Sequence, residues 1–151
     1  DVRELLLNFR SRLEEDSLQA GLRKTVEKFS DQTGIPADFR ASGPGGPPMS
    51  REQQLQVLFI VQEALSNIRK HAQADAVQVR IEDGEDFLLS IRDNGIGFDA
   101  SAGSAMDETH VGLHIMRERA QRIHADLDVQ SRTGAGTTVS LHLPHGQRRA
   151  A

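Results

Sequence analysis

The chain has 151 residues, a formal net charge of -4 and no cysteine, tryptophan or tyrosine. That length suits one domain with a real core, and the lack of cysteine excludes disulfides, thiolate metal sites and thiol nucleophiles. An acidic balance and only six phenylalanines argue against a nucleic-acid partner, and no apolar run approaches the about 18 residues of a membrane span.

The first segment, "DVRELLLNFRSRLEE", sets Val2, Leu5, Leu6, Phe9 and Leu13 on one helical stripe. It is in register from its first residue without a cap, and reads as the end of a longer helix that packs on a partner helix. Packing on its own domain fits the pattern equally well. Asp16 or Ser17 can cap a second helix to about Gln32, with Gly34 as its stop and Pro36 beyond. "ADFRA" is a short strand, and "SGPGGPPMS" (residues 42–50) is a loop by composition. Ser50 then caps the longest predicted helix, Arg51 to Ala72.

Two strands follow, "AVQVRIE" and "DFLLSIRD", joined by a turn at Asp83-Gly84. Residues 96–111 read as irregular, "GLHIMRERAQRIH" as a helix opening near Gly112, and "DLDVQSR" and "TTVSLHLP" as two further strands. The tail, residues 145–151, reads as frayed. Most strand pairs are hairpins, so the class is α+β: a mixed, mostly antiparallel sheet with helices on one face.

Two stretches carry chemistry. In "VLFIVQEALSNIRKHA", Val57, Val61, Ala64, Leu65, Ile68 and Ala72 share one helical face, and Glu63, Asn67, Lys70 and His71 form a row opposite. A solvated charged face is the simpler account of that row. However, a carboxylate one turn before an asparagine also makes an oxygen-only pair suited to a hydrated Mg²⁺ and its phosphate ligand, and Glu63 can polarise a hydroxyl, imidazole or water beside it. The second stretch, "IRDNGIGFD", ends a strand in Asp93-Asn94 and then sets Gly95 and Gly97 around one isoleucine. Turn chemistry explains most such strings; a backbone passing close to a ligand explains the rest.

The order "QEALSNIRKHA", "DNGIGF", "HVGLHIMRERA", "GAGTTV" resembles the Bergerat-type ATP-binding domain of sensor histidine kinases, Hsp90, MutL and type II DNA topoisomerases, over about residues 35–144. The resemblance implies a two-layer α/β sandwich that binds ATP and Mg²⁺. Glu63 matches the family's acidic general base, and Asn67 the residue that holds Mg²⁺ at the phosphates, with Glu63 a further metal ligand. Lys70 and His71 match positions beside the phosphates. Asp93 matches the acceptor for the adenine amino group, and Gly95 and Gly97 match glycines that let the backbone approach the purine. Gly112 and Leu113 match the second glycine box, whose helix would offer free N–H groups to phosphate. Gly134, Gly136 and Thr137 match the last box, with Thr137 bonding adenine directly or through water. Residues 98–110 then correspond to a lid over the nucleotide.

Within that family the chain looks like the nitrate/nitrite-type sensor kinases, on "VRELLLNFRSRL", "QEALSNIRKHAQA" and "GLHIMRERA". That implies residues 1–15 as the end of a dimerisation helix, 16–34 as a connecting helix, 35–144 as the catalytic domain and 145–151 as a disordered tail. It also implies a homodimeric whole protein, a phosphoacceptor histidine in the dimerisation domain and a response regulator of the LuxR type. The setting would be cytoplasmic, in an inner-membrane sensor whose membrane contact lies in N-terminal segments outside this chain. None of the six histidines sits in the phosphoacceptor context, so the chain by itself is expected to bind nucleotide without labelling itself, as a monomer. The alternative is a stand-alone relative, such as an anti-sigma factor that phosphorylates serine or an ATPase regulator. The His110, His114, Glu118 row has metal-like spacing, but the helix opening beside it and the lack of a further ligand favour a plain surface row.

Overall fold

The computed structural model describes residues 17–99 and 108–149. The expected helix over residues 1–15 and the middle of the expected lid lie outside them. Helix α1 runs Ser17–Thr33 and strand β1 Ala37–Ser42. Between them Gly34 adopts φ +74° and donates its N–H to the Ser30 carbonyl at 2.9 Å, a left-handed stop that a side chain would oppose. Helix α2 spans Arg51–Asn67 and opens on a complete capping box, in which Ser50 accepts from the Gln53 N–H and the Gln53 side chain accepts from the Ser50 N–H. Strands β2 (Val77–Asp83) and β3 (Phe87–Asp93), helix α3 (Glu108–Arg122), and strands β4 (Asp126–Ser131) and β5 (Thr137–Leu143) complete the fold.

The strands form one five-stranded sheet in the order β1-β2-β3-β5-β4. Only β1–β2 is parallel; β2–β3 and β4–β5 are antiparallel, as hairpin connections demand, and β3–β5 is antiparallel too. Alternation decides the buried face. Val77, Val79 and Ile81 of β2, Phe87, Leu89 and Ile91 of β3, and Val139, Leu141 and Leu143 of β5 point inward onto the helices. The helices meet them with Leu22, Val26 and Phe29, with Val57, Ile60, Val61, Ala64 and Leu65, and with Leu113, Met116 and Ala120. The α+β sandwich expected from the pattern is what forms.

Three local expectations need correction. The long helix does not continue regularly to Ala72: residues Ile68–Ala72 form a π-helical turn that ends at Gln73 with φ 51°. The wider turn carries Lys70 and His71, and such turns collect at functional sites. Helix α3 begins at Glu108, four residues before Gly112, so the last part of the expected lid is helical.

The third correction is the tail, which is ordered as far as the structure describes it, to residue 149. Residues His145–Gln147 make a 3₁₀ turn and Arg148 is buried. The Arg148 Nη1 donates to the Gly84 carbonyl at 2.8 Å and lies 2.8 Å from the Asp83 carboxylate. The Gln53 side chain bridges the Gln147 carbonyl and the Arg149 N–H. These residues therefore join the β2–β3 turn to the start of α2. Replacing Arg148 with alanine orphans acceptors in that turn, and is expected to cost about 2–3 kcal/mol in urea unfolding.

The same corner holds an acid-sensitive contact. Asp86 accepts from the His142 ring at 2.8 Å and from the His145 N–H at 2.8 Å. Those bonds, the His142 one first, lower its pKa from 3.8 to about 2. A depressed carboxylate adds stability that is complete above 3.8 and is lost as pH falls toward about 2. Unfolding midpoints followed across that window should fall more steeply in the wild type than in Asp86→Asn.

Candidate functional site

A cleft opens between the α2 end, the π turn, α3 and the sheet, with about 530 Å³ of space including its mouth. Its walls are apolar: Ala64, Ile68, Ile91, Leu113, Met116 and Val139 all line it. Into this lining project a few polar groups, chiefly Asp93, Thr137, Asn67 and His71. An apolar pocket with sparse, convergent polar groups is the usual form of a small-molecule site.

Asp93 is the most informative of them. Phe87, Leu89 and Ile91 set the inward register of β3, and Asp93 takes the next inward position at only 5 % exposure. The strand pattern calls for an apolar residue there and the sequence supplies a carboxylate. Burial raises its pKa above the ordinary 3.8, opposed by the backbone N–H groups of Gly95 and Thr137. The Gly95 N–H reaches Oδ1 at 2.7 Å. Asn94 has a different task, since its Oδ1 accepts from the N–H groups of Asp75 and Ala76 at 2.8 and 3.0 Å and so fixes the approach to β2.

The expectation that Gly95 and Gly97 spare room for a ligand is revised by their surroundings. A Cβ on Gly95 would overlap the Ala72 carbonyl, and one on Gly97, at φ +64°, would overlap the Arg132 carbonyl. Gly136 is held likewise against the Asp93 carbonyl. These glycines let three backbone segments close around Asp93. Gly97 still lines the cleft, whereas Gly134 is exposed in the β4–β5 turn.

At the other end, α3 runs against α2. Gly112 sits in the second turn of α3, so its N–H belongs to the helix pattern and is not a free terminal donor. A Cβ there would lie 2.6 Å from Glu63 Oε1 and 2.9 Å from Asn67 Nδ2. The glycine thus lets α3 settle onto both side chains. Glu63 and Asn67 come together as the spacing suggested, and among the described residues neither side chain makes a hydrogen bond or ion pair. Lys70 and His71 converge on Glu108, at 3.1 and 3.6 Å. That partner was not evident in the sequence, because it depends on α3 starting early.

His110 and His114 part company. His110 packs edge-on against Phe98 with ring centres 5.8 Å apart, while His114 pairs with Glu118 at 3.0 Å. Arg119 stacks on Phe59 at 4.3 Å and donates to Gln56 at 3.1 Å. His142 is half-buried beside Asp86.

With this geometry in view, residues 52–147 match the family model described as histidine kinase-, DNA gyrase B-, and HSP90-like ATPase, and the chain belongs to that family. The sensor protein NarQ homolog of Haemophilus influenzae is 32% identical over 146 residues, covering 95% of this chain and 25% of that protein. The nitrate/nitrite sensor protein NarX of Escherichia coli K12 is 36% identical over 143 residues, covering 91% of this chain and 23% of its own length. The chain spans about a quarter of the length of these curated relatives. Among solved structures, the histidine kinase domain of the Erythrobacter litoralis blue-light activated histidine kinase superposes with TM-score 0.69 at 23% identity, over 89% of this chain and 64% of that one. At that identity the likeness speaks for the fold.

Proposed function

We propose that the cleft binds Mg²⁺-ATP and that, in the whole protein, it presents the γ-phosphoryl group to a histidine of a dimerisation domain. From there the group passes to a response regulator of the LuxR type. The observation that carries this is a buried carboxylate, Asp93, in an apolar cleft that Asn67 also lines, with Glu63 beside Asn67 at Gly112. An acceptor-only group there suits the exocyclic amino group of adenine. The apolar walls suit the faces of a purine.

The polar groups divide the work. Asn67 Oδ1 and the Glu63 carboxylate are oxygen donors with no competing hydrogen bond among the described residues, which fits a hard cation. Mg²⁺ bound there would neutralise phosphate charge. Lys70, a cation, and the His71 ring, both now facing Glu108, are the groups a triphosphate would engage, since it brings more negative charge than one carboxylate. Glu63 would accept the proton from an incoming imidazole. The remaining catalysis is alignment of donor and acceptor.

The similarity to NarX and the NarQ homolog supports the sensor-kinase setting, a homodimer through the dimerisation helix, and a cytoplasmic placement below an inner membrane. No helix among the described residues is long and apolar enough to cross a membrane. The test uses γ-labelled ATP with and without a separately supplied phosphoacceptor domain. Acid-labile, base-stable label on that domain, and none on the chain alone, is the expected result. Label on serine of a partner would instead favour the anti-sigma type of relative.

A further inference from the structure

We propose that Ser131 is a positioning residue that sets the purine specificity of the cleft by fixing the hydroxyl proton of Thr137. The inference rests on the cleft being a purine site and adds a residue that contacts no ligand itself. Ser131, the last residue of β4, has three neighbours at hydrogen-bond distance. Its Oγ accepts from the Phe98 N–H at 2.9 Å, lies 3.2 Å from the Gly136 carbonyl and 2.7 Å from Thr137 Oγ1.

A hydroxyl has one proton to give and two lone pairs to receive with. The Phe98 N–H can only donate, so it takes one lone pair. The Gly136 carbonyl can only accept, so it takes the proton. All three contacts are hydrogen bonds only if Thr137 donates to the second lone pair. The Thr137 proton is then turned away, and Thr137, which lines the cleft, presents lone pairs alone. Asp93 faces Thr137 directly across the β3–β5 pair and is itself an acceptor. Two acceptors side by side match an amino group with two hydrogens. They oppose a 6-oxo purine, whose oxygen would meet lone pairs on both. Removing the Ser131 hydroxyl frees the Thr137 hydroxyl to rotate and donate to such an oxygen.

The test is calorimetry of the whole chain with Mg²⁺ and either ATP or inosine triphosphate. The wild type should prefer ATP. Ser131→Ala should lower the ATP-to-ITP affinity ratio about tenfold, and Ser131→Thr should restore it. In a Thr137→Val background the Ser131 change should no longer move the ratio. Should the alanine variant fail to fold, Ser131→Cys, a far weaker acceptor of similar shape, should shift the ratio the same way. Both affinities falling together at a constant ratio would show a merely structural serine and overturn the assignment. A wild type without preference between the two nucleotides would overturn it as well. A wild type that binds neither nucleotide would overturn the purine site beneath it.

Discussion

Asp93→Asn is expected to weaken ATP binding about a hundredfold while raising the thermal stability of the ligand-free chain at pH 7. The two effects have one origin. Asp93 is a carboxylate in a core position whose pKa burial has raised. A carboxyl with a raised folded-state pKa adds stability that is fully present below the unfolded value of 3.8 and is lost as pH rises through the folded value. At pH 7 its charge therefore opposes folding. Asparagine keeps the shape and removes the charge. The stability advantage of the variant should shrink as the pH is lowered, because the wild-type carboxyl then protonates.

Affinity moves the opposite way. The Gly95 N–H occupies Oδ1, so the asparagine oxygen is held there and its NH₂ takes the place of Oδ2. A donor then meets the adenine amino group, itself a donor. Flipping the amide only transfers the mismatch to Gly95. Lost charge-assisted bonding plus an unpaired buried donor amounts to about 3 kcal/mol, which is the hundredfold. Thermal melts across pH together with calorimetry check both halves. A variant that is less stable and binds equally well would remove Asp93 from the site.

The second large effect is expected at Glu63. Glu63→Gln preserves size and contact with Gly112 and keeps an amide oxygen for the metal, so Mg²⁺-ATP affinity should fall only modestly, whereas transfer to the supplied phosphoacceptor domain should fall about 10²–10⁴-fold. Asn67→Ala should do the reverse, removing most of the Mg²⁺-dependent part of affinity and leaving metal-free binding intact. Single-turnover labelling at saturating nucleotide separates the two. Equal losses of binding in both variants would mean that they act as one structural unit.

The sequence made much of this visible because period and register are local properties. The alternation of β3 visibly ends at Asp93, and the order of the four motifs, by resemblance, gave that carboxylate its role; that it takes a core position is a finding of the structure. The row from Glu63 to His71 was likewise legible as one helical face. What escaped depended on contacts distant in the chain. The apolar positions from Val57 to Ala72 fit an uninterrupted α-helix, so nothing local announced the π turn at Ile68. Gly112 reads as punctuation, yet its smallness serves contact with Glu63 and Asn67, inside a helix already under way. Arg148 lay in a stretch that composition marks as a tail, and its partners are carbonyls and a carboxylate of a turn more than sixty residues earlier. Ser131 is an ordinary strand-end serine until Phe98 and Thr137 are placed beside it.

The measurement that bears most directly on the central claim is a crystal structure of the chain with Mg²⁺ and a non-hydrolysable ATP analogue at saturation. The adenine amino group should lie within hydrogen-bond distance of the Asp93 carboxylate, with the base between Ile68 and Val139, and the metal on the Asn67 side. An empty cleft at saturating analogue, or a base bound elsewhere on the molecule, would contradict it.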